Sequence, residues 1–473
     1  MADAQSAIKP NAARAAVFLM NFLRFSILCI VSYFRHFAKQ GENRTRLTIS
    51  NYSDKILILC FVQCDTLKKA NMCKVIKDHS VKVKFTSLIL MTLILSFSPI
   101  LQCTSIVSKK HDAIIDKDVY LFVGSYAEAE EYGLHVFVYD EKNLQIKEIQ
   151  QLSGHRNPSF LAIHPSGDFL YSVNEIADFN GVSEGSVTSF AIDRDSGELE
   201  YINQQSSKGA HPCHISVPDN GNHILVANYS GGNLAVLPVA PDGSLEMASD
   251  IVQHEGSGIN ERRQRGPHAH SIYPNLDGSM IFSADLGTNK VMIYEAVNDE
   301  GALIPNSIQP YLKMEPGAGP RHIAFHPSGK WIYVINELNS TITRLEFDHQ
   351  TGNAHVLESV TTLPEGWDDE SFCADIHVHP SGRFLYASNR GHNSIAVFKI
   401  ENDGRVVPKG HESVRGEWPR NFAIDPAGAR IFVANQHSNN ITIFDIDQNS
   451  GGLSFTGIEL KIQKPVCIKF LDF

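Results

Sequence analysis

The chain has 473 residues, a formal net charge of -11 and 43% hydrophobic residues, more than one ordinary hydrophobic core holds. The charge is unevenly placed, because residues 1–115 hold 16 Lys and Arg against 6 Asp and Glu, which leaves -21 for residues 116–473. An acidic body of that kind excludes nucleic acid as its partner, and the shift in composition predicts a leader over 1–115 followed by one main domain over 116–473.

The leader contains two apolar runs. Residues 15–34 are interrupted by Arg24 and make a poor membrane span. Further on, Lys74, Lys77, Lys82 and Lys84 precede an uncharged stretch, 85–103, that contains Pro99. A basic segment ahead of a short apolar one gives 72–103 the layout of a secretory signal. With Met72 as the effective start, the protein is expected in the periplasm or cell envelope; with a silent leader it is cytoplasmic. Ile100-Leu101-Gln102-Cys103 has some likeness to a lipid-attachment box, although Gln is large for the position before the Cys. Membrane contact is expected only through this leader, if it is uncleaved or lipidated. Of the eight Cys, only Cys213, Cys373 and Cys467 lie in the main domain. Their scatter gives neither metal-type spacing nor a disulfide framework, so they read as buried thiols, and no metal or other cofactor is expected.

The main domain is built from a repeat. NPSFLAIHPSGDFLYSVNE starts at Asn157, HPCHISVPDNGNHILVANY at His211 and GPHAHSIYPNLDGSMIFSADLG at Gly266. GPRHIAFHPSGKWIYVINEL follows from Gly319, FCADIHVHPSGRFLYASNR from Phe372 and WPRNFAIDPAGARIFVANQ from Trp418. From the early Pro, or Cys373 in its place, to the closing Asn the count is sixteen residues in five copies; from Pro267 to Asp285 it is eighteen. A period of 46 to 57 residues made only of short apolar runs and turns predicts an all-β propeller, one blade per repeat. In the copy at 319, strands are expected over 322–325, 331–335, 341–347 and 354–361. The second of these is apolar without alternation, as in a strand covered on both faces. KPVCIKF from Lys464 resembles only a first strand and VYLFVGSY from Val119 only a second, so together they predict a seventh blade closed by both ends of the domain.

If the first strand of each blade lines the channel and the second returns beside it, residues flanking the pair meet at one rim. Arg321 and His322 then face Glu337; His211 and His214 face Asn228; His268 and His270 face Asp285; Asp375 and His377 face Arg390; Arg420 and Asn421 face Gln436. The recurrent Asn residues, 174, 228, 336, 389 and 435, also suit turn closure, and His164, His326 and His379 belong to the HPSG turns of the other rim. The loop HEGSGINERRQRGPHAHS from His254 adds Arg262, Arg263, Gln264 and Arg265 ahead of His268 and reads as a lid or substrate loop. Arg residues in an acidic domain form a local cationic ring suited to a phosphate or carboxylate.

Four blocks, GSGINERRQRGPHAHS, GPRHIAFHPSGKWIYVINEL, NRGHNSIAVF and PRNFAIDPAGARIFVANQ, carry a family likeness. Over residues 119–473 the chain resembles the propeller-type bacterial 6-phosphogluconolactonases, which form one lactonase family with the fungal carboxymuconate lactonizing enzyme. The resemblance implies a small anionic lactone as substrate and a channel-mouth site of Arg321 and Arg390, Glu337 and either His268 or His270, with Arg321, Glu337 and the His as its catalytic members. Arg390 and Arg420, Arg263 and Arg265 of the loop, and His322 and His214 are the expected substrate contacts. Attack by water, with Arg321 on the oxyanion and Glu337 or a His as base, is expected in preference to an acyl-enzyme. The alternatives are a cycloisomerase that closes an unsaturated dicarboxylic acid, and a noncatalytic propeller that binds a partner at the cell envelope.

Overall fold

A computed structural model describes residues 45–52, 55–62, 119–349 and 351–472. The expected signal at 72–103, the apolar run 15–34, the start at Met72 and Cys103 lie outside the described residues. The chain divides into two units at Asp112. In the first, the strands Thr45–Tyr52 and Lys55–Val62 pair as an antiparallel hairpin. Among the described residues no helix is long and apolar enough to cross a membrane.

The second unit is a ring of seven four-stranded antiparallel sheets. The blades, numbered in chain order, have innermost strands Leu161–Ile163, Pro212–Ser216, Ala269–Pro274, Pro320–Phe325, Phe372–Val378, Pro419–Ile424 and Pro465–Asp472. Blade 4 is Pro320–Phe325, Trp331–Asn336, Thr341–Asp348 and Asn353–Thr361, the four strands that its repeat predicts to within two residues at each end. Blade 7 joins Pro465–Asp472 to Val119–Ser125, with Val119 opposite Asp472 and Ile468 opposite Val123, so the two ends of the domain close the ring.

The unalternating apolar second strands are explained by where their side chains go. In blade 4, Ile332 and Val334 enter the core shared with blade 3, whereas Trp331, Tyr333 and Ile335 enter the core shared with blade 5. Each blade is thus bonded to both neighbours by apolar burial, about 1.5–3 kcal/mol per large side chain. The HPSG histidines add a polar tie at the far rim. His164, His326 and His379 each engage the Ser two residues on through Nδ1, and through Nε2 meet a glycine carbonyl of the following blade, Gly221, Gly382 and Gly428.

A recurring irregularity turns this ring into a site. The innermost strands of blades 2, 3, 4 and 6 each slip register after their first residue, leaving Cys213, His270, Arg321 and Arg420 as the extra residues of β-bulges. Blade 5 slips over Ala374 and Asp375, and blade 7 over Val466. A bulge re-aims one side chain out of the ladder, and these inner-strand bulges all sit at the same end of the channel.

Candidate functional site

At that end a cavity of about 260 Å³ opens between the blades. Cations reach it from three directions: Arg420 from the bulge of blade 6, Arg390 from the end of the second strand of blade 5, and Arg263 from the 254–268 loop. Glu175 and Glu337, each one residue past the second strand of blades 1 and 4, face it from nearly opposite positions in the ring of seven. Tyr229, Phe372 and Trp418 supply aromatic walls, and His270 and Cys213 its inner side. Beneath lies a recess of about 10 Å³, room for about one water. Glu175, Cys213 and Arg420 border both spaces, whereas Arg321 and His322 border only the recess.

Glu337 organises the cations. Its Oε2 accepts from Arg321 Nε at 3.0 Å and Arg390 Nη2 at 2.8 Å, and its Oε1 from Arg263 Nη2 at 2.5 Å. Burial alone would raise the Glu337 carboxyl, but Arg390, Arg321 and Arg263 outweigh it and hold the group well below the usual carboxylate range. Burial pulls Arg390 down to about 10, with Glu337 opposing, so it stays charged near neutrality. Arg390 is further fixed by donating to the carbonyls of Phe372 and Cys373, with its guanidinium 5.4 Å from the Trp418 ring centroid.

Arg321 is held through Nε and Nη1, and only 2% of it is exposed. Besides Glu337 it donates from Nη1 to the Ala374 carbonyl at 2.6 Å and meets His322 Nε2 at 3.2 Å. A guanidinium can only donate, so His322 Nε2 accepts and its Nδ1 donates to Asp375 Oδ1 at 2.7 Å. Burial, then the Arg321 charge, lowers His322 to about 4. His270 and His214 are likewise held well below 6.5, first by burial, so three neutral imidazoles cluster with ring centroids 5.5 Å (His270 to His322) and 5.6 Å (His214 to His322) apart. Among the described residues no group of three or more His, Cys, Asp and Glu is arranged to hold a metal ion.

Arg420 differs from the other three guanidiniums. Among the described residues it makes no hydrogen bond or salt bridge, and its guanidinium lies 5.5 Å from the Tyr126 ring centroid. With imidazoles neutral, four guanidiniums face two carboxylates, so the lining is cationic within an acidic domain. Such a lining binds an anion, and a donor without a protein partner is available to an oxygen that gains charge.

The family model for the seven-bladed β-propeller lactonases matches residues 120–470. The chain belongs to the lactonase family. The 6-phosphogluconolactonase of Bacillus subtilis strain 168 is 34% identical over 351 residues, 74% of this chain and 97% of the relative. The 6-phosphogluconolactonase of Formosa agariphila is 36% identical over 318 residues, 66% of this chain and 88% of the relative. Among solved structures, the Pseudomonas aeruginosa periplasmic gluconolactonase matches with a TM-score of 0.70 at 30% identity, covering 75% of this chain and 99% of that one. The protein is therefore a lactone-hydrolysing enzyme, a carboxylic-ester hydrolase.

Several residues expected from the sequence of this lactonase stand elsewhere than anticipated. His268 does not line the cavity; it stacks on Tyr229 at 4.5 Å and bonds the Tyr229 carbonyl through Nδ1. Arg265 is exposed and donates to the Glu261 carbonyl of its own loop. His214 lies below the cavity against Phe160 and Tyr273. Asp285, expected beside His268 and His270 at the rim, is spent on His254 Nδ1 at 2.6 Å and on the backbone N–H groups of His268 and Thr288. Asp375, expected beside Arg390, sits a layer lower among His322, His377 and Asn421.

The loop from His254 is pinned at both ends, by His254 on Asp285 and by buried Gln264 on the Leu286 carbonyl, and this leaves Arg263 alone to reach inward. Gly181-Val182-Ser183-Glu184-Gly185 has the spacing of a serine nucleophile motif, although the sequence reading expects no serine nucleophile. Ser183 is exposed in the connection between the strands Phe169–Asn174 and Ser186–Ile192, without the strand-turn-helix that aims such a serine. Glu175 escaped the sequence reading, although SVNE at 172–175 spells the same ending as VINE at 334–337.

Proposed function

We propose that this lactonase hydrolyses a phosphorylated sugar lactone, 6-phosphogluconolactone in the first instance, in the cavity at the channel mouth. The observation that carries the reading is the net cationic lining with Arg420 uncommitted, supported by the activity named for the Bacillus and Formosa relatives. A cavity of about 260 Å³ suits one sugar-sized ligand, below the roughly 300–1,000 Å³ of drug-sized sites. In this reading Arg263, whose side chain is 34% exposed, meets the phosphate at the mouth. Arg420 stabilises the oxyanion at the inner end. Arg321, first expected in that role, instead fixes Glu337 and His322 and shapes the recess.

The leader reading carries over as part of the proposal: export to the periplasm or cell envelope, which the periplasmic relative from Pseudomonas supports. The test is the hydrolysis rate of freshly generated 6-phosphogluconolactone against buffer and against unphosphorylated gluconolactone. Arg420→Ala is expected to lower kcat on the phosphorylated substrate on the order of a hundredfold, the usual cost of losing one oxyanion donor. Turnover confined to the unphosphorylated lactone would replace the phosphate assignment, and turnover of neither would remove the reading.

A further inference from the structure

We infer that Glu175 is the general base of this lactonase and that the recess beside it holds the attacking water. The inference rests on the lactone-opening reading and gives that reaction its proton acceptor.

Glu337 is badly placed for the task, since both of its oxygens are already held by guanidiniums, which remove its basicity. His270 borders the cavity but not the recess, and its Nδ1 is turned to Cys213 Sγ at 3.7 Å. Glu175 borders both spaces. Its carboxylate is oriented from two sides: Tyr126 of blade 7 donates its hydroxyl to Oε2 at 2.8 Å, and Ser159 of blade 1 donates to the same atom at 2.6 Å. Burial keeps the Tyr126 phenol protonated, so it remains a donor. With both bonds on Oε2, the acceptor capacity of Oε1 is left for a water. Around that position stand Arg420 of blade 6, Cys213 of blade 2, and Arg321 and His322 of blade 4. A carboxylate and a fixed cation therefore flank a space the size of one water, directly below the room for the substrate.

The step balances without a further reactant. Water gives a proton to Glu175 Oε1 while its oxygen bonds to the lactone carbonyl carbon, and the carbonyl electron pair moves to the oxygen beside Arg420. When the pair returns, the ring C–O bond breaks and the departing oxygen takes the proton back from Glu175. The product is an open-chain hydroxy acid, which releases its own proton to solvent.

The experiment follows freshly generated 6-phosphogluconolactone with the full chain. Wild-type turnover at the buffer rate would overturn the substrate reading and this inference with it. Given wild-type activity, Glu175→Gln is expected to lower kcat roughly 10²–10⁴-fold with little change in KM, the range for loss of a general base. Formate is expected to restore part of the kcat of Glu175→Ala by entering the vacated space, which an unfolded protein cannot show. A Glu175→Gln enzyme that keeps more than about a tenth of wild-type kcat, or a Glu175→Ala enzyme that formate does not restore, leaves the lactonase reading intact and overturns the role of Glu175.

Discussion

Glu337 sits where three guanidiniums would otherwise repel one another, and 4% of it is exposed. Removing one member of a buried ionic group strands the rest, at a cost of about 3–5 kcal/mol. Glu337→Gln is therefore expected to lose stability on that order in denaturant unfolding, besides losing activity; a change below about 1 kcal/mol would show that the guanidiniums do not depend on it. The acid side of the stability curve follows from His322. Its folded value of about 4 is below the ordinary 6.5, so its contribution is complete above 6.5 and is lost as the pH falls from there through 4. His322→Asn should flatten the slope of stability against pH in that window, and an unchanged slope would place the proton uptake elsewhere. Arg321 and Arg390, which clamp Glu337, were legible because Arg and Glu are rare at strand ends that otherwise read as apolar, and Arg263 because it stands in a long polar loop between strands. Glu175 was not, because the inner pair of its own blade has no bulge carrying an Arg, and it takes its partners from Tyr126 and Ser159.

At the scale of the strand, the ladder itself positions the chemistry. The period of the repeat was readable because in five blades a residue at the start of the inner strand pairs with the closing Asn or Asp sixteen positions on: Pro212 with Asn228, Ala269 with Asp285, Pro320 with Asn336, Cys373 with Asn389 and Pro419 with Asn435. The bulge inside that count was not readable, since it inserts a residue without changing the pattern of apolar positions. The third copy came out at eighteen because it was counted from Pro267, which stands two residues before the first paired residue. Its ladder pairs Ala269 with Asp285, which restores sixteen and makes His270, not His268, the counterpart of Arg321. The fit between strands is also tight where blade 7 meets blade 1. A Cβ on Gly124 would lie 2.2 Å from the Pro158 carbonyl oxygen, one residue before Ser159. Gly124→Ala is expected to cost about 1–3 kcal/mol by overpacking and to lower kcat as well by shifting the serine that holds Glu175. A loss of stability at full kcat would show that the displacement stops short of the site.

For the molecule as a whole, a cationic cavity lies in a domain whose net charge is -21. Most of that negative charge is distant and screened by salt over about 10 Å at 0.1 M, whereas the guanidiniums act at contact range. The kcat/KM for a phosphorylated lactone is expected to fall with added salt while that for an unphosphorylated one stays level; parallel responses would mean that the substrate charge is not what the cavity reads.

The closure of blade 7 also sets an order of events in time. Pro465–Asp472 is the channel-side neighbour of Val119–Ser125, so the first strand of the propeller to leave the ribosome waits for the last. Until that last strand has emerged, the ring has a gap. The clasp that makes the fold durable is thus also its clock, shutting only after the last strand of the propeller has been made.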